Sequence, residues 1–460
     1  MRGRTLEAEQ SAGIVPLVDE GLGNSSYVVA LGDGRALVLD PRRDPTPYLN
    51  LADELKLRIA FAVETHLHAD FISGSRELAA FGAAILAPRA SHLATAYRGL
   101  EDGEEVELGG LTLRAVATPG HTPEHFAYVL LDGSTPRALF SGGAILPGGA
   151  ARPDLIGPEQ TEPLAHDLYR SAHQRLRNLP DELAVYPTHG AGSFCSAGTD
   201  GPRTTSLGRE RETSPLFKIA TEDGFVRTFL DGLGTYPPYF LRLRAVNQRG
   251  ARLYGVKPPE LTQLSVDEFR RQQAAGAIVI DVRPFVDFGR SHIPAALSIA
   301  LRPAFASWLG WIIQADRPLV FVRAPNQDGR DLIEQCLKIG YENLVGELAG
   351  GMSAWQSAGL PVSTIATGQV NEEPRGTPLD VRQASEWPTG HIPGARHVEL
   401  GSITAAAGAI PAGPLLIYCG HGERAMTAAS LLEGQGHKSL AVLDGGFDAW
   451  RSANRPIAIG

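Results

Sequence analysis

Ile280-Asp281-Val282-Arg283 and, further along, Leu379-Asp380-Val381-Arg382 carry nearly the same message. The first is followed by Gly289-Arg290-Ser291-His292-Ile293-Pro294-Ala295-Ala296. The second is followed by Thr389-Gly390-His391-Ile392-Pro393-Gly394-Ala395. Both copies end alike, at Gly350-Gly351-Met352-Ser353-Ala354-Trp355 and at Gly445-Gly446-Phe447-Asp448-Ala449-Trp450. A repeat this long means one domain built twice. Each copy alternates strand-like and helix-like segments around an apolar central strand, which predicts a doubly wound α/β sheet. The copies part where chemistry would sit. Pro414-Leu415-Leu416-Ile417-Tyr418-Cys419 answers Pro318-Leu319-Val320-Phe321-Val322-Arg323, so one copy holds a thiol and the other an arginine.

The repeat occupies less than half of a 460-residue chain, which is too long for one hydrophobic core. Residues 12 to about 200 also alternate strand-like stretches (Ser26-Tyr27-Val28-Val29, Gly34 to Asp40, Leu111 to Thr118) with helix-like ones (75–81 and 162–179). Small polar residues at 197–206 mark a loop, and a helical connector is expected over 216–243. Lys257-Pro258-Pro259 is a stiff break, and 364–376 reads as a second linker. The resulting division is a module at 12–250 including the connector, one repeat unit at 258–366 and the other at 372–460. A net charge of −9 argues against a nucleic-acid partner, which calls for a basic face. With no run of about 18 apolar residues, no membrane span is expected. The N-terminus lacks the apolar stretch of a signal peptide. Three scattered cysteines (Cys195, Cys336, Cys419) make no disulfide framework and point to a reducing cytoplasm.

In the second repeat, the apolar strand runs into Cys419-Gly420-His421-Gly422-Glu423-Arg424, and a helical pattern begins near Ala425. A loop between a strand end and a helix start gathers backbone N–H groups at the positive end of the helix dipole, which favours an anion such as a thiolate. An isolated cysteine is more often a small core residue. The two glycines and the arginine of this loop weigh against that reading. With its Asp-Val-Arg and Gly-His-Ile-Pro-Gly-Ala segments, the unit resembles the rhodanese (sulfurtransferase) family. The resemblance implies that Cys419 takes a sulfane sulfur, holds it as a persulfide and passes it on, with Arg424 beside it. The backbone of Gly420, His421, Gly422 and Glu423 would cradle the anion. Asp380, Arg382 and His391 match framework positions. The first repeat unit keeps the fold but has Arg323 in the loop, and Cys336 falls in the following helix as a core residue.

Upstream, Thr65-His66-Leu67-His68-Ala69-Asp70-Phe71 follows a strand-like stretch, and so do Thr118-Pro119-Gly120-His121 and Tyr186-Pro187-Thr188-His189. One such histidine is usually structural. Three strand ends that each deliver a histidine favour a metal site. These motifs resemble the metallo-β-lactamase superfamily, whose domain is an αββα sandwich, and in particular its persulfide dioxygenase branch. That resemblance implies one Fe(II) ion that oxidises a low-molecular-weight thiol persulfide with O₂, with His66 and His121 as ligands. The family's aspartate should stand where the chain reads Ser141-Gly142-Gly143, and Gly143 has nothing to coordinate with. His68 is then expected as third ligand, with Asp70 in reserve. The cofactor expected is one metal ion, Fe(II) by resemblance, with zinc as the alternative and weak occupancy.

The reading is a cytoplasmic sulfur-metabolism enzyme, α/β and multidomain: a metallo-β-lactamase-like sandwich followed by two rhodanese-like domains. Its expected partners are a low-molecular-weight thiol persulfide or thiosulfate, with a homo-oligomer left open. The alternatives are a glyoxalase II-type thioester hydrolase, and a persulfide-binding or sensing protein that has lost catalysis.

Overall fold

The structure, a computed structural model, describes residues 13–196, 201–371 and 376–459. Residue 12, residues 197–200 of the expected loop, residues 372–375 at the second linker and residue 460 lie outside the described residues. The contacts form two compact units, residues 1–258 with 337–340, and residues 259–336 with 341–460. Among the described residues no helix is long and apolar enough to cross a membrane.

The first unit contains two six-stranded sheets. One runs in the order β1 (Ile14–Asp19), β2 (Asn24–Ala30), β3 (Arg35–Leu39), β4 (Arg58–Val63), β5 (Ala84–Pro88), β6 (Arg98–Leu100). The other comprises β7 (Glu105–Glu107), β8 (Leu111–Ala117), β9 (Phe126–Asp132), β10 (Thr135–Gly142), β11 (Ala184–Pro187) and β12 (Thr205–Ser206), again in sequential order. Tyr27, Val29, Leu37 and Val63 of the first sheet share one buried cluster with Leu113, Tyr128, Phe140 and Tyr186 of the second. The outer face of the second sheet is covered by Ala165 and Leu168 of the helix Pro158–Arg170. The outer face of the first is covered by Tyr48 and Ala52 of Thr46–Glu54 and Leu78 of Ser75–Ala80. This is the αββα sandwich. Strands β4, β8, β10 and β11 end just before His66, His121, Gly143 and His189 respectively.

The expected connector helix is broken. Helices span Glu222–Asp231 and Phe240–Arg249, because Pro237-Pro238 cannot donate backbone hydrogen bonds inside a helix. The helix expected over 162–179 starts earlier, at Pro158, and gives way to a wider turn at Ser171–Arg175.

In the second unit the repeat becomes geometry. Strands β13 (Gln263–Leu264), β14 (Ile278–Asp281), β15 (Leu297–Ser298), β16 (Leu319–Val322) and β17 (Leu344–Leu348) form a sheet in the order β13-β17-β16-β14-β15. Strands β18 (Ala366–Gly368), β19 (Thr377–Asp380), β20 (Arg396–His397), β21 (Leu415–Tyr418) and β22 (Leu440–Leu443) repeat it as β18-β22-β21-β19-β20. All pairings are parallel. The central strands β16 and β21 are buried at every residue, hence their unbroken apolar runs. β18 lies within the segment read as a linker: residues 366–368 are already the edge of the second sheet.

The repeated Asp-Val-Arg is a buried lock. The Arg283 guanidinium grips Asp281 and donates to Ser291 O at 2.8 Å. Arg382 grips Asp380 and donates to Gly390 O at 2.7 Å. The terminal tryptophans also match, Trp355 donating to Pro361 O at 2.9 Å and Trp450 to Pro456 O at 2.8 Å. The paired glycines are required where the chain passes the loop. Gly446 sits at φ +57°, and a Cβ there would overlap the carbonyl oxygens of Cys419 and Gly420. Gly446→Ala is therefore expected to destabilise the fold by at least about 2 kcal/mol, seen as a lower melting temperature. Gly434→Ala, in open space at the end of the helix Glu423–Gly434, should leave it unchanged or raise it.

Candidate metal centre and sulfur-carrier loop

Three histidines converge where the strands of the sandwich end. The ligand nitrogens of His66, His121 and His189 all lie within 4.8 Å of one another, and all three side chains are buried. The other ring nitrogen of each is engaged. His66 Nδ1 lies 2.8 Å from Thr65 Oγ1, whose hydrogen goes to Asp40 Oδ2 at 2.7 Å. His121 Nδ1 lies 2.7 Å from the Arg152 carbonyl. His189 Nδ1 lies 3.2 Å from Asn24 Oδ1, while the Asn24 amide donates to Asp70 Oδ2 at 2.7 Å. Each of these partners accepts, so each Nδ1 carries a hydrogen and Nε2 is the nitrogen that can bind a metal. His66 Nε2 and His189 Nε2 face each other at 3.4 Å, and His121 Nε2 is buried with no partner. Burial holds His66 and His121 well below the usual imidazole range, so both are neutral. Neutral imidazoles, tied at the far nitrogen to protein acceptors, are the donor chemistry of a transition-metal site.

The cluster of His66, His121 and His189 does not include His68, which groups instead with Asp70 and His189 and keeps its Nδ1 buried without a hydrogen-bond partner. Its Nε2 lies 3.0 Å from Glu64 Oε2 and 3.2 Å from Asp40 Oδ1, and its ring stacks on Phe71 at 4.2 Å. Burial alone would lower its pKa, but Asp40 and Glu64 push it up to about 10. Asp70 groups with His68 and His189 and stands 3.5 Å from His189 Nδ1. Sequence reasoning placed His189 at a strand end but gave the third position to the nearer His-x-His neighbour. A usable signal was the repeated pair Thr65-His66 and Thr188-His189, since both threonine hydroxyls bond Asp40.

Asp40, Glu64, Asn24 and His125 were not singled out. The Gly143 N–H donates to His125 Nε2 at 2.9 Å, and His125 Nδ1 lies 2.8 Å from Thr118 Oγ1. Burial pushes His125 down to about 4. The place of the missing carboxylate is also crowded. A Cβ on Gly143 would lie 2.7 Å from the His121 ring and 2.9 Å from Ala151 Cβ.

In the second unit, Cys419 lies at the end of β21, is buried, and accepts the Gly422 N–H at 3.1 Å. The helix Glu423–Gly434 starts directly behind it. Arg424 does not reach freely into the loop. Glu386 holds its guanidinium with two bonds, at 2.6 and 3.0 Å. His421 is exposed beside Asp448. The first repeat unit walls this loop: the Phe285 ring fills the space where a Gly422 Cβ would point, at 2.6 Å, and Arg424 lies 5.7 Å over the Trp308 ring. The corresponding loop in the first repeat is occupied by its own side chains. Arg323 pairs with Glu347 at 2.7 and 2.8 Å and donates to Gln327 O. Cys336 and Cys195 are buried, and burial raises the Cys195 thiol well above its usual range.

The profile of the metallo-β-lactamase superfamily matches residues 19–189, and that of the rhodanese-like domain matches 265–358 and 367–453. Human mitochondrial persulfide dioxygenase ETHE1 is 34% identical over 185 residues, which cover 39% of this chain and 69% of that protein. The hydroxyacylglutathione hydrolase of Pseudomonas entomophila is 33% identical over 170 residues, covering 36% of this chain and 62% of that protein. A solved metallo-β-lactamase from Staphylococcus aureus superposes with a TM-score of 0.65 at 27% identity, covering 73% of this chain and 98% of that one. The chain belongs to the persulfide dioxygenase family of the metallo-β-lactamase superfamily and carries two rhodanese-like domains behind that module.

Proposed function

We propose that this chain is a cytoplasmic sulfur-handling enzyme in which a metal centre engages a low-molecular-weight thiol persulfide and Cys419 moves sulfane sulfur. The observation that carries the metal half is the convergence of three buried histidines whose ligand nitrogens lie within 4.8 Å of one another, His121 Nε2 having no hydrogen-bond partner. A metal ion would give that buried nitrogen the partner it lacks. A metal ion held by His66, His121 and His189 would supply Lewis acidity and, as iron(II), a site where O₂ meets the persulfide. The chain's own contribution is orientation. Thr65, the Arg152 carbonyl and Asn24 each fix one imidazole, and burial keeps water away.

The sulfur half rests on the Cys419 loop. The thiolate attacks the outer sulfur of R–S–SH, the S–S bond breaks, R–S⁻ leaves and Cys419 holds the persulfide. An acceptor thiolate then attacks that outer sulfur and releases Cys419 as thiolate. Two displacements replace one difficult transfer. With thiosulfate as donor the leaving group is sulfite. The Gly422 N–H, already on the sulfur, stabilises its anionic form. Arg424, held by Glu386, contributes positive potential from a fixed position.

A thioester hydrolase reading draws on the likeness to hydroxyacylglutathione hydrolase. A second metal would need further ligands, and the Phe71 ring stacks on His68 where another donor would have to stand. Oxygen uptake with glutathione persulfide, set against hydrolysis of a glutathione thioester, separates the readings. Hydrolysis without oxygen uptake would favour the second. Metal binding with neither activity would favour a sensing protein.

Three imidazoles give the centre one negative charge fewer than a two-histidine, one-carboxylate site, which shifts preference from iron towards zinc. Purified protein should hold zinc or substoichiometric iron and consume O₂ slowly. A full equivalent of iron with rapid turnover would refute the assignment. Gly143→Asp should disturb His121 rather than simply add a ligand, so metal affinity measured by chelator competition is expected to fall or stay level. Cys419→Ser should abolish sulfur transfer to cyanide or a thiol with the fold retained, while Cys336→Ser leaves transfer unchanged. Arg323→Ala should leave the Michaelis constant for donors unchanged, because Glu347 already neutralises that side chain. A several-fold rise would give the first repeat a binding role.

A further inference from the structure

The loop that bears His66 and His68 is held in part from outside the matched sandwich. Every anchor falls on its backbone. Asn247 donates to His68 O at 2.8 Å and to Phe71 O at 2.9 Å, and its side-chain oxygen accepts the Ser73 N–H at 2.9 Å. Tyr239 donates its hydroxyl to Asp70 O at 2.9 Å. Arg244 holds Glu124 with two bonds, at 2.7 and 2.8 Å, and Glu124 accepts the Leu67 N–H at 3.0 Å. Tyr239 caps the helix Phe240–Arg249, and Arg244 and Asn247 lie three residues apart on it, a spacing that puts them on one helix face. Tyr239, Asn247 and Glu124 are buried. The superfamily match ends at residue 189, so this helix is not part of the matched sandwich.

We propose that the helix Phe240–Arg249 is a clamp that sets the metal-binding geometry of the loop 66–73, with Asn247, Arg244 and Tyr239 as its positioning residues. This rests on the reading of His66, His121 and His189 as metal ligands. A loop backbone can shift by a fraction of an ångström unless its polar groups are fixed, and a shift at 67–68 moves the His66 ring against its two partners. Buried backbone groups need partners in any case. Here five such groups of one short loop find them on, or through, a single helix. Supporting groups behind metal ligands typically contribute about 10- to 100-fold in metal affinity.

The test uses the full chain, stripped of metal and titrated with Co²⁺ against a chromophoric chelator. Wild type should bind one equivalent and show a ligand-field band. Asn247→Ala and Arg244→Ala should each weaken Co²⁺ binding about tenfold or more and shift the band, with sulfur transfer through Cys419 unchanged as proof of an intact chain. Tyr239→Phe, which removes one hydroxyl without loss of the ring, should give a smaller weakening in the same direction and keeps the test open if either alanine variant fails to fold. A helix with only a packing role would lower the melting temperature of metal-free and metal-loaded chains alike while leaving affinity and band in place. That result overturns the clamp. Failure of wild-type protein to bind Co²⁺ at all overturns the three-histidine reading and the clamp with it.

Discussion

One buried carboxylate organises the first unit. Asp40, at φ +45° just after β3, accepts the Thr65 N–H and the hydroxyls of Thr65 and Thr188. A carboxylate withdrawn from water is costly unless its oxygens are hydrogen-bonded, and the groups that satisfy this one are the residues preceding two of the three converging histidines. Fixing Thr65 and Thr188 therefore fixes where His66 and His189 emerge. The Thr65 hydroxyl, once spent on Asp40, is left as an acceptor for His66 Nδ1 and so selects the ring tautomer. The same carboxylate, with Glu64, holds His68 Nε2. Stability of the strand ends and preparation of the centre are thus one set of bonds.

The second unit shows how a duplicated scaffold diverges by one side chain. Both repeats have the same strand order, the same buried Asp–Arg lock and the same glycine pair. In one, Arg323 folds across its own loop onto Glu347 and Gln327. In the other, a small thiol stands in the loop and accepts the Gly422 N–H. The repeat without a thiol still serves the one with it, since Phe285 and Trp308 stand against Gly422 and Arg424. The helix behind Cys419 also rests on the first repeat, Thr427 donating to Ser298 O at 2.6 Å.

Membership of a dioxygenase family and the absence of a carboxylate at Gly143 meet at one point in space. Here the chain has closed the gap rather than left it. The His121 ring and Ala151 crowd the position, and His125 holds the Gly143 N–H. In the proposed centre, three imidazoles in place of two and a carboxylate would remove one negative charge from a buried site. The sulfur transfer proposed for Cys419 would not depend on that change.

Much was legible in the sequence because it is local. The repeat, the central apolar strands, the cysteine loop between a strand and a helix, and histidines at successive strand ends follow from periodicity and turn chemistry acting over a few residues. The break at Pro237-Pro238 was legible too, since proline lacks the donor a helix needs, although the connector was read as one helix. What the sequence could not order was the set of contacts among distant strand ends. His68 lies two residues from His66, yet it is turned onto Asp40 and Glu64. His189 lies far along the chain, yet the pairing of β10 with β11 carries it to within 3.4 Å of His66. Likewise, nothing in Tyr239, Arg244 or Asn247 marks them as supports for a loop that precedes them by so many residues. Local sequence determined which residues could coordinate or carry sulfur. The tertiary structure decided which of them meet, because hydrogen-bond satisfaction of buried polar groups is settled only when separate segments pack together.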